Sequence, residues 1–304
     1  MNRLTEAQRI VCRFSCGAAS AVATKLTLAK YGPERVVITY SEPGSEHPDN
    51  VRFLQDCEHW FGQPVIVLKS EKYSDTWDVW RRERYIAGVQ GAPCTGLLKR
   101  APTYEFQRPG DVLVFGYTVE ETKRADSFRR QNFEQPFETP LIEAGLTKAD
   151  CLAMIERAGI ELPAMYRLGY RNNNCIGCPK GGMGYWNKIR RDFPETFERM
   201  AALQRELGPG SGFLRDHAKG RRITLDELDP DRGRHEDEPD IECSLMCHAA
   251  EAVVAGRAAL AQEGGGDEEL PPNYAACCNS TDLASCDCVN KQHIRALFAK
   301  GGRE

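Results

Sequence analysis

Short apolar runs alternate with amphipathic stretches through the first 120 residues of this chain. Residues 8–14 (Arg-Ile-Val-Cys-Arg-Phe-Ser) read as a strand, and residues 19–31, rich in Ala and Leu, as a helix. Val36-Val37-Ile38-Thr39-Tyr40 is a second strand. From Asp49 to Phe61 the apolar positions Val51, Phe53, Leu54, Cys57, Trp60 and Phe61 fall near helical spacing. Val65 to Leu68 and Asp111 to Phe115 add two further strands. Such alternation predicts an α/β fold, a doubly wound parallel sheet with helices on both faces. Ligands of such sheets sit at the carboxyl ends of the strands, where loops meet helix N-termini.

Further along, Thr147 with Asp150 three residues on predicts a capped helix, with Leu152, Ile155 and Ala158 on its inner face and Gly159 at its stop. Residues 194–207 read as another helix. From Gly208 to Asp240 the chain is polar and charged and reads as a mobile excursion. Gly264-Gly265-Gly266-Asp267-Glu268-Glu269 reads as a linker before a tail with Cys277, Cys278, Cys286, Cys288 and His293. The division expected is 1–145 as a nucleotide-binding α/β domain, 146–262 as a helical, cysteine-bearing part, and 263–304 as linker and tail.

Composition narrows the classes. A hydrophobic content of 41% supports a core, and a formal charge of −4 gives no global basic field for nucleic acid. No apolar run reaches membrane-spanning length and residues 1–6 carry no signal-peptide character, so a cytoplasmic protein without a membrane partner is expected. Thirteen cysteines in a long mixed chain favour metal, cluster or redox use over structural disulfides. Trp60, Trp77, Trp80 and Trp186 are assigned to the core. Most basic clusters read as solvated helix faces.

Five stretches carry candidate chemistry. Ser15-Cys16-Gly17-Ala18-Ala19-Ser20, between strand and helix, lets backbone N–H groups and hydroxyls converge on phosphate. Residues 40–50 follow the second strand; there Ser41 and Gly44 suit a nucleotide contact, and Glu42 or Glu46 a cation or ribose. Asp49 and Asn50 equally suit a helix cap. Gly116 opens Gly116-Tyr117-Thr118-Val119-Glu120-Glu121, and Lys123 and Arg124 beyond it are candidates for phosphate contact. Cys94, Cys175 and Cys178 are thiolate donors suited to an iron–sulfur cluster or to zinc, and spacing alone does not choose. Cys243 and Cys247 lie in Glu242-Cys243-Ser244-Leu245-Met246-Cys247-His248, where nucleophile, persulfide carrier, fourth metal ligand and inert thiol all remain open.

In this order the stretches resemble the phosphoadenosine and adenosine phosphosulfate reductases and the PP-loop ATP pyrophosphatases, the adenine nucleotide α-hydrolase superfamily. The resemblance covers residues 8–180, with a weaker echo to 248. It departs from the family at Cys16, where a glycine is expected, at Ala19, where an aspartate is expected, and at Cys94-Thr95, where the reductases carry paired cysteines. Thr118 and Val119 replace the arginines that hold the reductases' sulfate. The resemblance implies ATP, Mg²⁺ and a 4Fe–4S cluster as cofactors, with zinc as the alternative metal, on Cys94, Cys175 and Cys178; either one iron is left open to hold sulfide, or Cys247 or Cys243 supplies a fourth ligand.

The function expected is ATP-dependent sulfur transfer, in which an acceptor nucleobase, nucleotide or nucleic acid is adenylated and then thiolated. Cys243 and Cys247 would be catalytic. The partners would be an adenine nucleotide and a sulfur donor, either sulfide or a cysteine desulfurase; a homodimer is compatible with the sequence. One alternative is a thiol-dependent phosphosulfate reductase that uses thioredoxin and releases sulfite. Another is a non-catalytic redox sensor that binds nucleotide or cluster.

Overall fold

The alternation of apolar runs closes into one parallel sheet. In the computed structural model, which describes residues 8–88 and 91–241, five strands stand in the order β3-β2-β1-β4-β5. They are β1 (Ile10–Phe14), β2 (Val36–Ser41), β3 (Ile66–Leu68), β4 (Val112–Val114) and β5 (Phe137–Glu138). Every pairing is parallel, with Ile10 beside Val36 on one side and Val112 on the other. Strands buried on both faces need near-continuous apolar sequence, and β1 and β4 have it apart from Arg13.

One face is covered by α1 (Ala18–Tyr31), α2 (Asn50–Phe61) and α7 (Lys148–Arg157). Their apolar positions meet Ile10, Cys12, Phe14 and Ile38 in a core that includes Phe53, Cys57, Cys151 and Ile155. Burying each large side chain of this kind contributes roughly 1.5–3 kcal/mol. On the other face Phe128 of α5 (Thr122–Gln131) packs with Val11, Leu113 and Phe115.

A second core is built around Trp80 and Trp186. It gathers α3 (Thr76–Glu83), α9 (Met183–Asp192) and α10 (Pro194–Leu207), with Cys94 and Cys178 among its buried members. Trp77, Trp80 and Trp186 are buried there as expected, while Trp60 is partly buried against the first core.

Several boundaries follow the sequence closely. Thr147 and Asp150 form a reciprocal capping box, and α7 ends before Gly159 at φ 76°. Ala158 is exposed, however, and Cys151 takes the inner position. Asp49 makes no cap hydrogen bond; it pairs with Arg52 at 2.7 Å and accepts from the Ala164 N–H at 2.8 Å, tying α2 to α8 (Ala164–Arg167).

The polar stretch 208–240 is ordered rather than an excursion. It forms a hairpin of β6 (Leu214–Asp216) and β7 (Arg221–Ile223), then a strap. Its sparse apolar residues, Leu214, Ile223, Leu225 and Leu228, are all buried in the second core. Charge density hid that spacing. Among the described residues no helix is long and apolar enough to cross a membrane.

Candidate functional site

The strand order reverses between β1 and β4, because the chain first builds outward to β3 and then returns to the other side of β1. At such a switch point the loops leaving two adjacent strands diverge and leave a crevice. Here the crevice is a cleft of about 420 Å³, lined by Ser15, Gly17 and Ser20 after β1 and by Gly116, Tyr117 and Thr118 after β4. That volume suits a nucleotide-sized ligand.

The loop after β1 is closed by one hydroxyl. Ser20 Oγ donates to the Gly17 carbonyl at 2.9 Å, accepts from the Ser15 N–H at 3.0 Å and lies 3.1 Å from Ser15 Oγ. Gly17 stands at the N-cap of α1 without a side-chain cap, so the positive end of the helix dipole opens onto the cleft. The Tyr166 hydroxyl takes backbone hydrogen bonds from Ala18 and Asn173, and burial pushes its pKa up to about 12.

Cys16 occupies the left-handed region at φ 52°, the conformation for which glycine is the usual residue. Its side chain is buried away from the cleft, hydrogen-bonds Tyr40, and is pushed well above the ordinary thiol pKa by burial. The glycine-to-cysteine departure is therefore accommodated by packing, at a backbone cost of roughly 1–2 kcal/mol.

Gly116 is required by contact. A Cβ there would lie 2.7 Å from both Cα and N of Ser20, so β4 and the start of α1 approach backbone to backbone. Gly17 is less constrained: a Cβ at that position would have Tyr166 Oη as its nearest atom, at 3.3 Å.

Of the other residues singled out from sequence, Ser41 and Arg124 line the cleft. Arg124 is held against Glu121 at 2.5 Å and over the Tyr117 ring at 5.0 Å. Glu42 does not line it and pairs instead with Lys69 at 2.6 Å. Gly44 forms a turn at φ 69° packed on Ser74 and Asp75, and Lys123 is exposed on α5. Glu46 is engaged internally: Oε2 accepts from the Tyr40 hydroxyl at 2.5 Å and Asn50 Nδ2 at 2.7 Å, and Oε1 from Lys99 Nζ at 3.3 Å.

The structure adds residues that sequence reading missed. Arg13, Lys99, Thr103, Lys148 and Asn172 to Asn174 all line the cleft. Asn173 donates to the Cys16 carbonyl at 2.6 Å and to Asn50 Oδ1 at 2.7 Å, fastening the Asn-Asn-Asn-Cys loop to the loop after β1. A cation within the apolar run of β1 was the readable signal for Arg13.

The Cys175–Cys178 loop hangs on one phenol. The Tyr185 hydroxyl accepts from the N–H groups of Gly177 and Cys178 at 3.1 and 3.0 Å and donates to the Cys175 carbonyl at 3.2 Å. Cys94, Cys175 and Cys178 are all buried, and Cys94 and Cys178 share the second core. Among the described residues no group of three or more His, Cys, Asp and Glu side chains is arranged to hold a metal ion. Cys243 and Cys247 lie outside the described residues. Cys12 and Cys151 are structural: burial pushes each up to about 12.

The strap ends at the cleft. Asn174 Nδ2 donates to the Ile241 carbonyl at 3.1 Å, Lys148 pairs with Asp240 at 2.8 Å, and both Asp240 and Ile241 line the cleft.

No family model matches the chain. It is similar to an uncharacterized protein of Methanocaldococcus jannaschii, 24% identical over 221 residues. That match takes in 68% of this chain and 44% of the relative, so the chain spans less than half of the relative's length.

Proposed function

We propose that the cleft binds ATP and that the chain is a PP-loop type enzyme which activates an acceptor by adenylation for sulfur transfer. The observation that carries this reading is the serine-closed loop, at the N-terminus of α1, on the β1/β4 switch point. Backbone N–H groups at the start of α1 would take the phosphates, and Gly116 lets that start pack close to the end of β4. Arg124 and Lys148 line the same cleft, paired with Glu121 and Asp240.

In this reaction an acceptor oxygen attacks the α-phosphorus and pyrophosphate leaves; a hydrosulfide then displaces AMP from the acceptor, or a cysteine persulfide does so and leaves an acceptor–cysteine disulfide that a second thiol cleaves to release the thiolated acceptor. Mg²⁺ would enter with the nucleotide and offset its phosphate charge. The acceptor class is a nucleobase, a nucleotide or nucleic acid. The chain reaches Cys243 two residues beyond Ile241, which lines the cleft, and this supports Cys243 as the thiol that meets the bound substrate.

The test incubates the full chain with ATP or phosphoadenosine phosphosulfate, a thiol and sulfide, together with candidate acceptors, and measures AMP, pyrophosphate and sulfite. AMP and pyrophosphate formed in step with thiolated acceptor support sulfur transfer. Thiol-dependent sulfite release without pyrophosphate replaces it with phosphosulfate reduction. Nucleotide binding with no product leaves a non-catalytic sensor.

A further inference from the structure

A cation stands where a central parallel strand ordinarily carries an apolar side chain. β1 lies in the middle of the sheet, and Ile10, Val11, Cys12 and Phe14 are all buried. Arg13 sits among them. Its Nη1 is closed to solvent and has no hydrogen-bond acceptor among the described residues. Asp111 is in electrostatic range, but its carboxylate is engaged by Arg9 at 2.8 and 2.6 Å. An unpaired buried donor is costly, and more so when charged. Burial pulls the guanidinium down only to about 10, so it is cationic at neutral pH.

Arg13 lines the cleft beside Thr39, its register partner on β2. Ser41, Thr103 and Lys99 line the same flank, with Ser41 Oγ 3.2 Å from Thr103 Oγ1 and donating to the Lys99 carbonyl at 3.2 Å. The carboxylates that line the cleft belong to other segments and have partners. Glu121 is held by Arg124, Asp240 by Lys148, and Glu120 accepts from the Lys148 N–H at 3.2 Å. The β2 flank thus presents two cations, of which Lys99 is paired with Glu46 at 3.3 Å, and three hydroxyls bonded to the Cys12 and Lys99 carbonyls and to one another; the donor there without an acceptor among the described residues is Arg13 Nη1. An arginine fork binds oxyanions in bidentate fashion.

We propose that Arg13 and Lys99, with Thr39, Ser41 and Thr103, form an oxyanion subsite on the β2 flank of the cleft, apart from the loop after β1. It takes a carboxylate, phosphate or sulfate group, carried by the nucleotide or by the second substrate. This deepens the nucleotide reading of the cleft and rests on it for the group's role in turnover.

The test uses inorganic sulfate as the probe on the full chain, by calorimetry and thermal denaturation in low-chloride buffer, with Arg13→Gln, Arg13→Met and Lys99→Gln. Saturable sulfate binding by the parent is expected, weakened at least tenfold in Arg13→Gln and in Lys99→Gln. Without sulfate, Arg13→Met should melt no lower than the parent, because it removes a desolvated, unpaired cation; a merely structural arginine would lower it. Sulfate binding that is equal in parent and variants, or absent from the parent, overturns the subsite. Should both Arg13 variants fail to fold, Lys99→Gln decides by the same tenfold criterion. Adding saturating ATP separates the sources. Displacement of sulfate assigns the subsite to the nucleotide's own phosphate, and simultaneous binding assigns it to the second substrate. Sulfate binding without ATP binding sinks the nucleotide reading alone, whereas ATP binding without sulfate binding sinks the subsite alone.

Discussion

Glu46 Oε1 and Lys99 Nζ pair at 3.3 Å, joining the loop after β2 to the turn that follows Cys94 and holding a cation at the cleft wall. The Glu46 carboxylate is nearly enclosed, and it also accepts from Tyr40 and Asn50. The amide of Glu46→Gln retains some of these hydrogen bonds and removes the charge. ATP affinity should fall about tenfold, equivalent to ~1.4 kcal/mol, with a modest loss of melting temperature. Glu46→Ala should destabilise more, toward the roughly 3–5 kcal/mol typical of a broken buried pair. Calorimetry on both variants checks this; unchanged ATP affinity in Glu46→Gln would disconnect the pair from the cleft.

The two glycines of the cleft should respond differently to a methyl group. Gly116→Ala places a Cβ 2.7 Å from the Ser20 backbone, which has no flexible end to yield. Overpacking of this kind costs typically about 1–3 kcal/mol and here would push α1 from β4. Gly17→Ala meets the Tyr166 hydroxyl at 3.3 Å and Ser15 Oγ at 3.7 Å, both side-chain ends, and should bind nucleotide nearly as the parent does. Melting curves and ATP titrations of the pair should separate them in that order; the reverse order would contradict the backbone contact.

The parallel sheet was legible because its signals are local. β1, β2 and β4 are apolar runs, α1 and α2 begin within one residue of their expected starts, and residues 194–207 form α10 as expected. The loop between β1 and α1 was legible as a strand–loop–helix spacing. What sequence hid was long-range pairing. Nothing local says that Glu46 turns toward Tyr40 and Lys99 rather than toward a ligand, or that Glu42 is held by Lys69. The hairpin and strap were hidden for a related reason. Their few apolar residues are diluted by charges that pair with one another, such as Arg221 with Glu227 and Arg232 with Asp216.

Removing one oxygen should loosen the Cys175–Cys178 loop. Tyr185→Phe leaves the buried N–H groups of Gly177 and Cys178 without their acceptor. Each such loss costs roughly 1–3 kcal/mol. The melting temperature should fall, and alkylation of Cys175 and Cys178, both buried in the parent, should accelerate. Unchanged alkylation rates would show that the loop is held by packing alone.

Acid should release the tie between α2 and α8. Hydrogen bonds from Arg52 hold the Asp49 carboxyl down to about 2, with the Ala164 N–H also lowering it. A depressed carboxyl stabilises the fold above its unfolded pKa of about 3.9, and that contribution disappears as pH falls from about 4 to about 2. Asp49→Asn should lose the contribution at neutral pH and flatten stability across that window. Melting curves between pH 2 and 7 compare the two, and identical pH dependence would remove Asp49 as its source.

Titration of the full chain with ATP, in parallel with Gly17→Val, tests the nucleotide reading most directly. A β-branched side chain at position 17 has to displace the Tyr166 hydroxyl and closes the approach to the N-terminus of α1. The expected result is saturable one-to-one binding by the parent and at least a tenfold loss in Gly17→Val. Equal affinity in the two proteins, or no ATP binding by the parent, would contradict it.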